Sequence, residues 1–522
     1  MAAPWWRGRP AVIAALAGAS LTLMQFGTIR EFAALIGSSE LVTLLVGTGY
    51  FLGLSAGYLL SDRLPRSALT GLGAGTLLLQ MSLPFSARWA AGFLASHHFL
   101  GAVPPLVFVV VLGGLTPFYA VFLPRLIEEQ SGGGGRRGAL LRIYAAEIAG
   151  AFLGLLVVLT AAAARMGLVL ALNLAALVTL VLLTWRTPRP AAAWVLLALP
   201  AVYFAAWGPL DTASLRYFYK RAHGYLEVDV LASEFSPYQR VDLIQGARKN
   251  KVATYLYLNG NLLYGTRSLH QHNLLVSLAP NLVRPSPRAL VIAGGSLDNA
   301  RYLAPRVANL HVVELDEAVV RLTREHLQEP RGNFPTNWQL VIDDGKHFLG
   351  AWSGAPFDVI SVDVPVPTQL QTAMLHSERF FALARSRLAP GGIFSISLAG
   401  KLTRGPAQAA GPQSRLAPRI VAGLLKTFPY VTVVRTAERD YAWAGDRPVT
   451  GGAAAVQSAI DRFLEEEPER REIFGAPRVT FVGERAVAEA VAGAAPIGEA
   501  DMQVVLRVSW RKLMSRYYPS AP

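Results

Sequence analysis

Cysteine is missing altogether from these 522 residues. Its absence excludes disulfides, thiolate-ligated metals and a cysteine nucleophile, while leaving the compartment open. Charge is scarce as well: Asp, Glu, Lys and Arg make up 16% of the chain, against roughly 25% in an average soluble protein. Apolar residues fill the gap. They reach 52%, and the mean hydropathy is +0.35, an excess concentrated in the first 210 residues. Acids are the scarcer sign, leaving a formal net charge of +14. Much of that surplus is arginine flanking apolar runs, so membrane lipid is the expected partner and nucleic acid is not.

A bilayer core takes about 20 mostly apolar residues per helix. Seven runs qualify: Ala11–Ile29, Leu41–Ser61, Ser67–Ala87, Phe99–Leu123, Ile143–Ala164, Gly167–Trp185 and Ala191–Leu210. Glu147, in the fifth, is a candidate intramembrane ligand or proton carrier, although its place near the start of the run also lets it meet headgroups or Arg142. Gly47, Gly49, Gly53 and Gly57 fall at helical spacing and read as close helix packing. Arg7, Arg9, Arg63, Arg66, Arg125, Arg136, Arg137, Arg142, Arg186 and Arg189 flank one set of loops, while Arg30, Arg88 and Arg165 mark the other. That bias puts the amino terminus in the cytoplasm. Seven spans then place the carboxyl-terminal half on the far side, and one span more or fewer returns it.

After Asp211 the texture changes. Tyr225–Val230, Gln239–Gln245 and Thr254–Asn259 are rich in β-formers, and Asn259-Gly260 is a hairpin turn. A small antiparallel sheet over about 224–265 and a helix near Leu269–Ala279 therefore lead into an α/β core from Pro285. There an apolar strand runs into Gly294-Gly295, a second ends in Glu314-Leu315-Asp316, and a third reaches Asp343-Asp344-Gly345. A fourth ends at Asp363, a fifth follows Pro390-Gly391-Gly392, and Thr427–Thr436 is a further strand. Parallel sheets gather ligands at the carboxyl ends of their strands, so glycines and acids there point to a small-molecule enzyme. Asp316 and Asp343 read as helix caps or solvated acids, and Asp358 as structural. His270 and His272 lack a third partner for a metal. No metal is expected.

The fold class is thus a multi-span α-helical membrane domain followed by a small antiparallel β-domain and an α/β Rossmann-like (class I methyltransferase-type) domain. The expected boundaries are 1–210 for about seven helices, 211–284 for the β-domain and linking helix, 285–450 for the nucleoside-binding domain and 451–522 for an appended segment.

Ser236-Pro237-Tyr238-Gln239, then Leu258-Asn259-Gly260, then the α/β core resemble spermidine synthases, the polyamine aminopropyltransferases. Gly37-Ser38-Ser39 before a glycine-rich run ending Ser61-Asp62-Arg63, with Arg142-Ile143-Tyr144-Ala145, resembles the membrane half of bacterial membrane-fused members. The resemblance implies a bacterial inner-membrane location and aminopropyl transfer from decarboxylated S-adenosylmethionine to an amine, with no tightly bound cofactor. It makes Glu314 the ribose ligand, Asp344 with Gly345 the adenine side, Gln239 a residue reaching over the nucleoside, Gly294 and Gly295 the nucleoside loop, and Asp363 the base. Tyr238, His272 and Asp298 become candidates for the amine pocket.

The departures from the family pattern lie on the amine side. The acid expected directly after the glycines comes late, as Asp298. The second acid of the catalytic segment is Val366, and the family's tyrosine and glutamate near the linking helix are Gln271 and Asn273. Desolvating each ammonium of a diamine without a carboxylate costs several kcal/mol, so putrescine is expected to bind poorly. An enzyme with an altered acceptor, a catalytically inactive binding or assembly module (a homodimer or a membrane-complex partner), and a transporter with a sensing domain all remain open.

Overall fold

The computed structural model describes residues 10–96, 113–131, 135–161, 166–184, 190–248, 251–267, 270–285, 287–328, 332, 334–402 and 416–517. The chain divides into two compact units, Met1–Asp242 with Ala247–Asn250 and Arg516–Pro522, and Leu243–Gly246 with Lys251–Ser515. The boundaries drawn from the sequence at 210, 284 and 450 do not coincide with this division.

In the first unit the apolar runs form helices. Six among the described residues are long and apolar enough to cross a membrane: Pro10–Ile36, Ser39–Leu60, Ala68–Ser96, Arg136–Thr160, Met166–Leu183 and Pro190–Ala222. Most of the expected span Phe99–Leu123 lies outside the described residues, and its end, from Pro117, opens a 14-residue helix, Pro117–Gln130. Several helices overrun their apolar stretches. Arg30, Glu31, Arg88 and Asp211, which the hydropathy pattern puts just beyond the ends of runs, all lie inside helices. Helix packing is close where glycine removes a side chain. A Cβ on Gly53 would strike Thr116 and the Gly113 carbonyl, whereas Gly47 has nothing nearby. The chain then enters strands β1 (Glu227–Phe235) and β2 (Arg240–Arg248).

Strands β3 (Lys251–Leu258) and β4 (Asn261–Gly265) are joined by Asn259-Gly260, both at positive φ, the backbone that a tight primed hairpin turn demands. The small sheet runs β1-β2-β3-β4.

The α/β domain is Rossmann-like. Its strands are β5 (Arg288–Ile292), β6 (Asn309–Glu314), β7 (Gln339–Ile342), β8 (Phe357–Val362), β9 (Leu388–Ser397), β10 (Tyr430–Arg435), β11 (Asp440–Gly445) and β12 (Thr480–Phe481). They are ordered β12-β10-β11-β9-β8-β5-β6-β7. Strands β5 to β9 are parallel, and β10, β11 and β12 pair antiparallel. Alternation along β5 builds both faces: Leu290 and Ile292 join one core with Ile360, Phe380 and Ile396, while Ala289 and Val291 join the other with Leu303, Val312 and Trp443.

Residues 451–515 are part of this unit. Helix Gly452–Glu465 buries Val456, Ile460, Phe463 and Leu464 against one face, Val504 and Val508 pack on the other, and β12 pairs with β10. The sequence reads this segment as an appended piece. Its apolar face, at helical spacing, is what joins it to the core.

Candidate active site

The turn Ala293–Leu297 follows β5. Ala293 (φ +61°) and Leu297 (φ +54°) hold left-handed backbone, which costs roughly 1–2 kcal/mol for a residue with a Cβ. The Ala293 N–H bonds the Val313 carbonyl at 2.8 Å, and the Leu297 N–H bonds the Gly294 carbonyl at 2.8 Å. A Cβ on Gly294 would lie 2.9 Å from Val291 and Val312 methyls, and one on Gly295 would lie 2.5 Å from Glu314 Oε2. Glycine is therefore what lets the Glu314 carboxylate reach the turn.

Glu314 ends β6 and is 8% exposed. Its Oε2 accepts from the Gly295 N–H at 2.9 Å and its Oε1 from the Asp316 N–H at 3.1 Å. Burial pushes its carboxyl up to about 7, against the pull of those N–H groups. The carboxylate keeps acceptor capacity for a further donor such as a hydroxyl.

Asp363 follows β8, anchored by its N–H to the Ile292 carbonyl at 2.9 Å. Its Oδ1 meets His272 Nε2 at 2.9 Å, and its Oδ2 accepts from Asn299 Nδ2 at 2.8 Å. With Asp363 as carboxylate, Nε2 is the donor. His272 Nδ1 and Asn299 Oδ1 are buried without a hydrogen-bond partner, which marks the two polar groups flanking Asp363 as unfilled. The His272 ring lies 5.7 Å from Tyr441, and burial, with the Asp363 charge adding to it, pushes that phenol up. Glu314 and Asp363 thus grip the same segment, at Gly295 and, one helical turn on, at Asn299. Sequence reasoning missed Asn299 and Tyr441. The spacing from Gly295 could have found Asn299; nothing local marks Tyr441.

Asp298 requires a correction. It has no exposed surface, and its carboxylate accepts from Tyr264 Oη (3.0 Å), His270 Nδ1 (3.0 Å) and Asn273 Nδ2 (2.9 Å). A carboxylate enclosed in this way ties β4 and the linking helix to the turn after β5 and is not open to an amine. Asn273 stands where the resemblance places a glutamate, and a second carboxylate there would face Asp298 with like charge. His270 and His272, two residues apart on a helix, point to different acids, as that spacing dictates. Among the described residues no group of three His, Asp or Glu could hold a metal.

Asp344 caps helix Gly345–Ala351, its Oδ1 accepting from the Lys346 and His347 N–H groups at 2.9 and 3.0 Å. A Cβ on Gly345 would collide with Ile292, so the glycine seats this cap beside the end of β5. Asp316 caps helix Glu317–Thr323. Asp343, in contrast, does not cap; it pairs with His347 at 2.8 Å. Asp358 receives the Arg288 N–H at 3.2 Å. Val366 packs against the core. Tyr238 and Gln239 belong to the first unit, where both N–H groups donate to Ser236 Oγ, at 3.2 and 3.1 Å, in the turn between β1 and β2. A cavity of about 150 Å³ lined by Arg284, Gly391, Tyr430, Trp443 and Arg447 lies near the start of β9, away from the carboxyl ends where these acids gather.

Residues 269–401 match the Spermine/spermidine synthase domain. Over 411 residues the chain is 28% identical to a polyamine aminopropyltransferase of Mycobacterium tuberculosis, covering 74% of this chain and 76% of that protein. Residues 269–401 thus form a spermidine synthase-like domain. A polyamine aminopropyltransferase of Corynebacterium efficiens is 32% identical over 169 residues, 31% of each chain, so the match spans about a third of that relative's length. A solved spermidine synthase in complex with the transition state analogue AdoDATO aligns with 53% of this chain and 88% of its own, at 21% identity and a TM-score of 0.36.

Proposed function

We propose that the α/β domain transfers an aminopropyl group from decarboxylated S-adenosylmethionine to an amine, with the helical unit embedded in a bacterial inner membrane. The observation that carries this reading is the pair of buried acids, Glu314 and Asp363, that bond to the segment after β5. Glu314 keeps acceptor capacity for ribose hydroxyls, and Asp363 is held by His272 and Asn299. Asp344 spends Oδ1 on its cap and keeps Oδ2 for the adenine amino group.

The amine lone pair attacks the methylene carbon bound to the sulfonium. That carbon–sulfur bond breaks, methylthioadenosine leaves as a neutral thioether, and Asp363 takes the proton from nitrogen. His272 and Asn299 fix the carboxylate's orientation, which keeps the reacting atoms in line.

The acceptor is a less charged amine than putrescine. Asp298 is enclosed, position 366 is valine and position 273 is asparagine, so a second ammonium would lose its hydration with no carboxylate in return. Membrane embedding is supported by the large apolar side chains on the helix surfaces, among them Phe51, Leu59, Leu78 and Trp194, each more than two-thirds exposed.

The test is purified protein with labelled decarboxylated S-adenosylmethionine and a panel of mono- and diamines. Methylthioadenosine release with a monoamine-like acceptor is expected. Nucleoside binding without transfer to any amine would instead mark an inactive binding module. A carboxyl-terminal reporter fusion reads the side of the membrane.

A further inference from the structure

Five charged side chains are buried together in the first unit. Arg88 Nη2 bonds Glu31 Oε2 at 2.5 Å, and Arg88 Nη1 bonds Asp211 Oδ1 at 2.7 Å. Arg240 reaches Asp211 at 2.7 Å, Asp242 at 2.9 Å and Glu31 Oε2 at 3.4 Å. None of these side chains is more than 12% exposed. In formal charges, three carboxylates face two guanidiniums, so the cluster is one positive charge short. Both arginines contact Glu31 at Oε2, and the other oxygen, Oε1, is buried without a hydrogen-bond partner.

Glu31 lines a cavity of about 20 Å³ with Thr28, Gln80, Pro84, Leu170 and Asn173, enough for one water-sized species. Its polar wall presents acceptors. Thr28 Oγ1 spends its hydrogen on the Met24 carbonyl at 2.7 Å, leaving lone pairs. The Gln80 and Asn173 amides point N–H groups at Tyr119 Oη (3.0 Å) and Gln80 Oε1 (2.8 Å). Pro84 lies inside helix Arg66–Ser96. Having no N–H, it cannot bond the carbonyl four residues earlier, which is that of Gln80. Glu31 and Thr28 thus line the cavity together with Gln80, whose carbonyl Pro84 leaves without its helical donor, where one positive charge is missing. Helix carbonyls freed beside an acid are a hard-cation donor set.

We propose that this cavity binds one dehydrated monovalent cation of about the size of sodium. The inference is independent of the aminopropyl reaction. It is tested on the full chain in detergent at constant ionic strength, replacing N-methylglucamine chloride with sodium chloride while following thermal unfolding and the uptake of radioactive sodium. Sodium is expected to raise the unfolding midpoint saturably, with one ion bound per chain. Thr28→Val, nearly isosteric, should lose most of the response while keeping the sodium-free midpoint. Pro84→Ala, which restores an N–H for the Gln80 carbonyl, should do the same. Glu31→Gln should abolish uptake. Equal midpoints in both salts with no uptake would overturn the proposal, as would a sodium effect undiminished in Thr28→Val and Pro84→Ala.

Discussion

Asp363 and His272 stand 91 positions apart in sequence, yet Oδ1 and Nε2 meet at 2.9 Å. The bond joins the end of β8 to the helix that precedes β5, so it exists only once the sheet has assembled. With the Asn299 Nδ2 bond to Oδ2 at 2.8 Å, it fixes the orientation of the carboxylate.

Replacing Asp363 with asparagine should abolish aminopropyl transfer while leaving methylthioadenosine affinity unchanged. His272→Gln should lower kcat with little change in nucleoside KM, since the imidazole acts on the carboxylate and not on the nucleoside. Steady-state kinetics and calorimetry separate the two outcomes. Equal turnover in Asp363→Asn and the parent would reject Asp363 as the base.

Glu314→Gln should weaken methylthioadenosine binding by about 1–3 kcal/mol, the range for leaving a buried hydrogen-bonding group unsatisfied. The parent should also show a pH dependence. Ribose hydroxyls donate to the ionised carboxylate, so binding releases the proton that Glu314 holds below about 7. Affinity should fall about tenfold for each pH unit below that value and level off above it. Calorimetry from about two pH units below that midpoint to about one above checks this; the glutamine variant should give a flat profile. A parent affinity independent of pH would remove the ribose role.

Asn273→Glu should destabilise the α/β domain by roughly 3–5 kcal/mol, because it sets an unpaired carboxylate against the enclosed Asp298. Thermal unfolding of the two proteins measures it. Unchanged stability would mean that the new side chain escapes to solvent.

Val366→Asp should raise putrescine affinity by supplying the missing carboxylate, at some loss of packing against the core. A competition assay with labelled putrescine reads the gain. No change would show that position 366 does not face the acceptor.

Phe463→Ala should cost about 3–5 kcal/mol. The ring is 1% exposed, packs edge-on against Tyr302 and Phe474, and lies under the Arg306 and Arg470 guanidiniums at 4.9 and 4.5 Å. A melting curve that matches the parent would detach the carboxyl-terminal segment from the core.

The strands carrying Gly294, Glu314, Asp344 and Asp363 were legible because short apolar runs ending in glycine or acid are local patterns. β11 was not. Asp440-Tyr-Ala-Trp-Ala-Gly is poor in β-branched residues, and it becomes a strand through pairing with β9 and β10, with all six residues buried. Helix lengths failed for a related reason. Hydropathy ends a run at a charge, whereas Glu31, Arg88 and Asp211 stay inside their helices because each meets a partner from a distant segment.

By itself, then, the order of residues determined which segments are apolar, where the turns fall and which acids sit at strand ends, since each follows from neighbours a few positions apart. Tertiary structure alone decided that Asp298 is enclosed while Asp363 is held by His272 and Asn299, and that residues 451–515 complete the sheet. The physical reason is that burial and pairing depend on groups brought together across tens to hundreds of residues, and only the folded chain sets those distances.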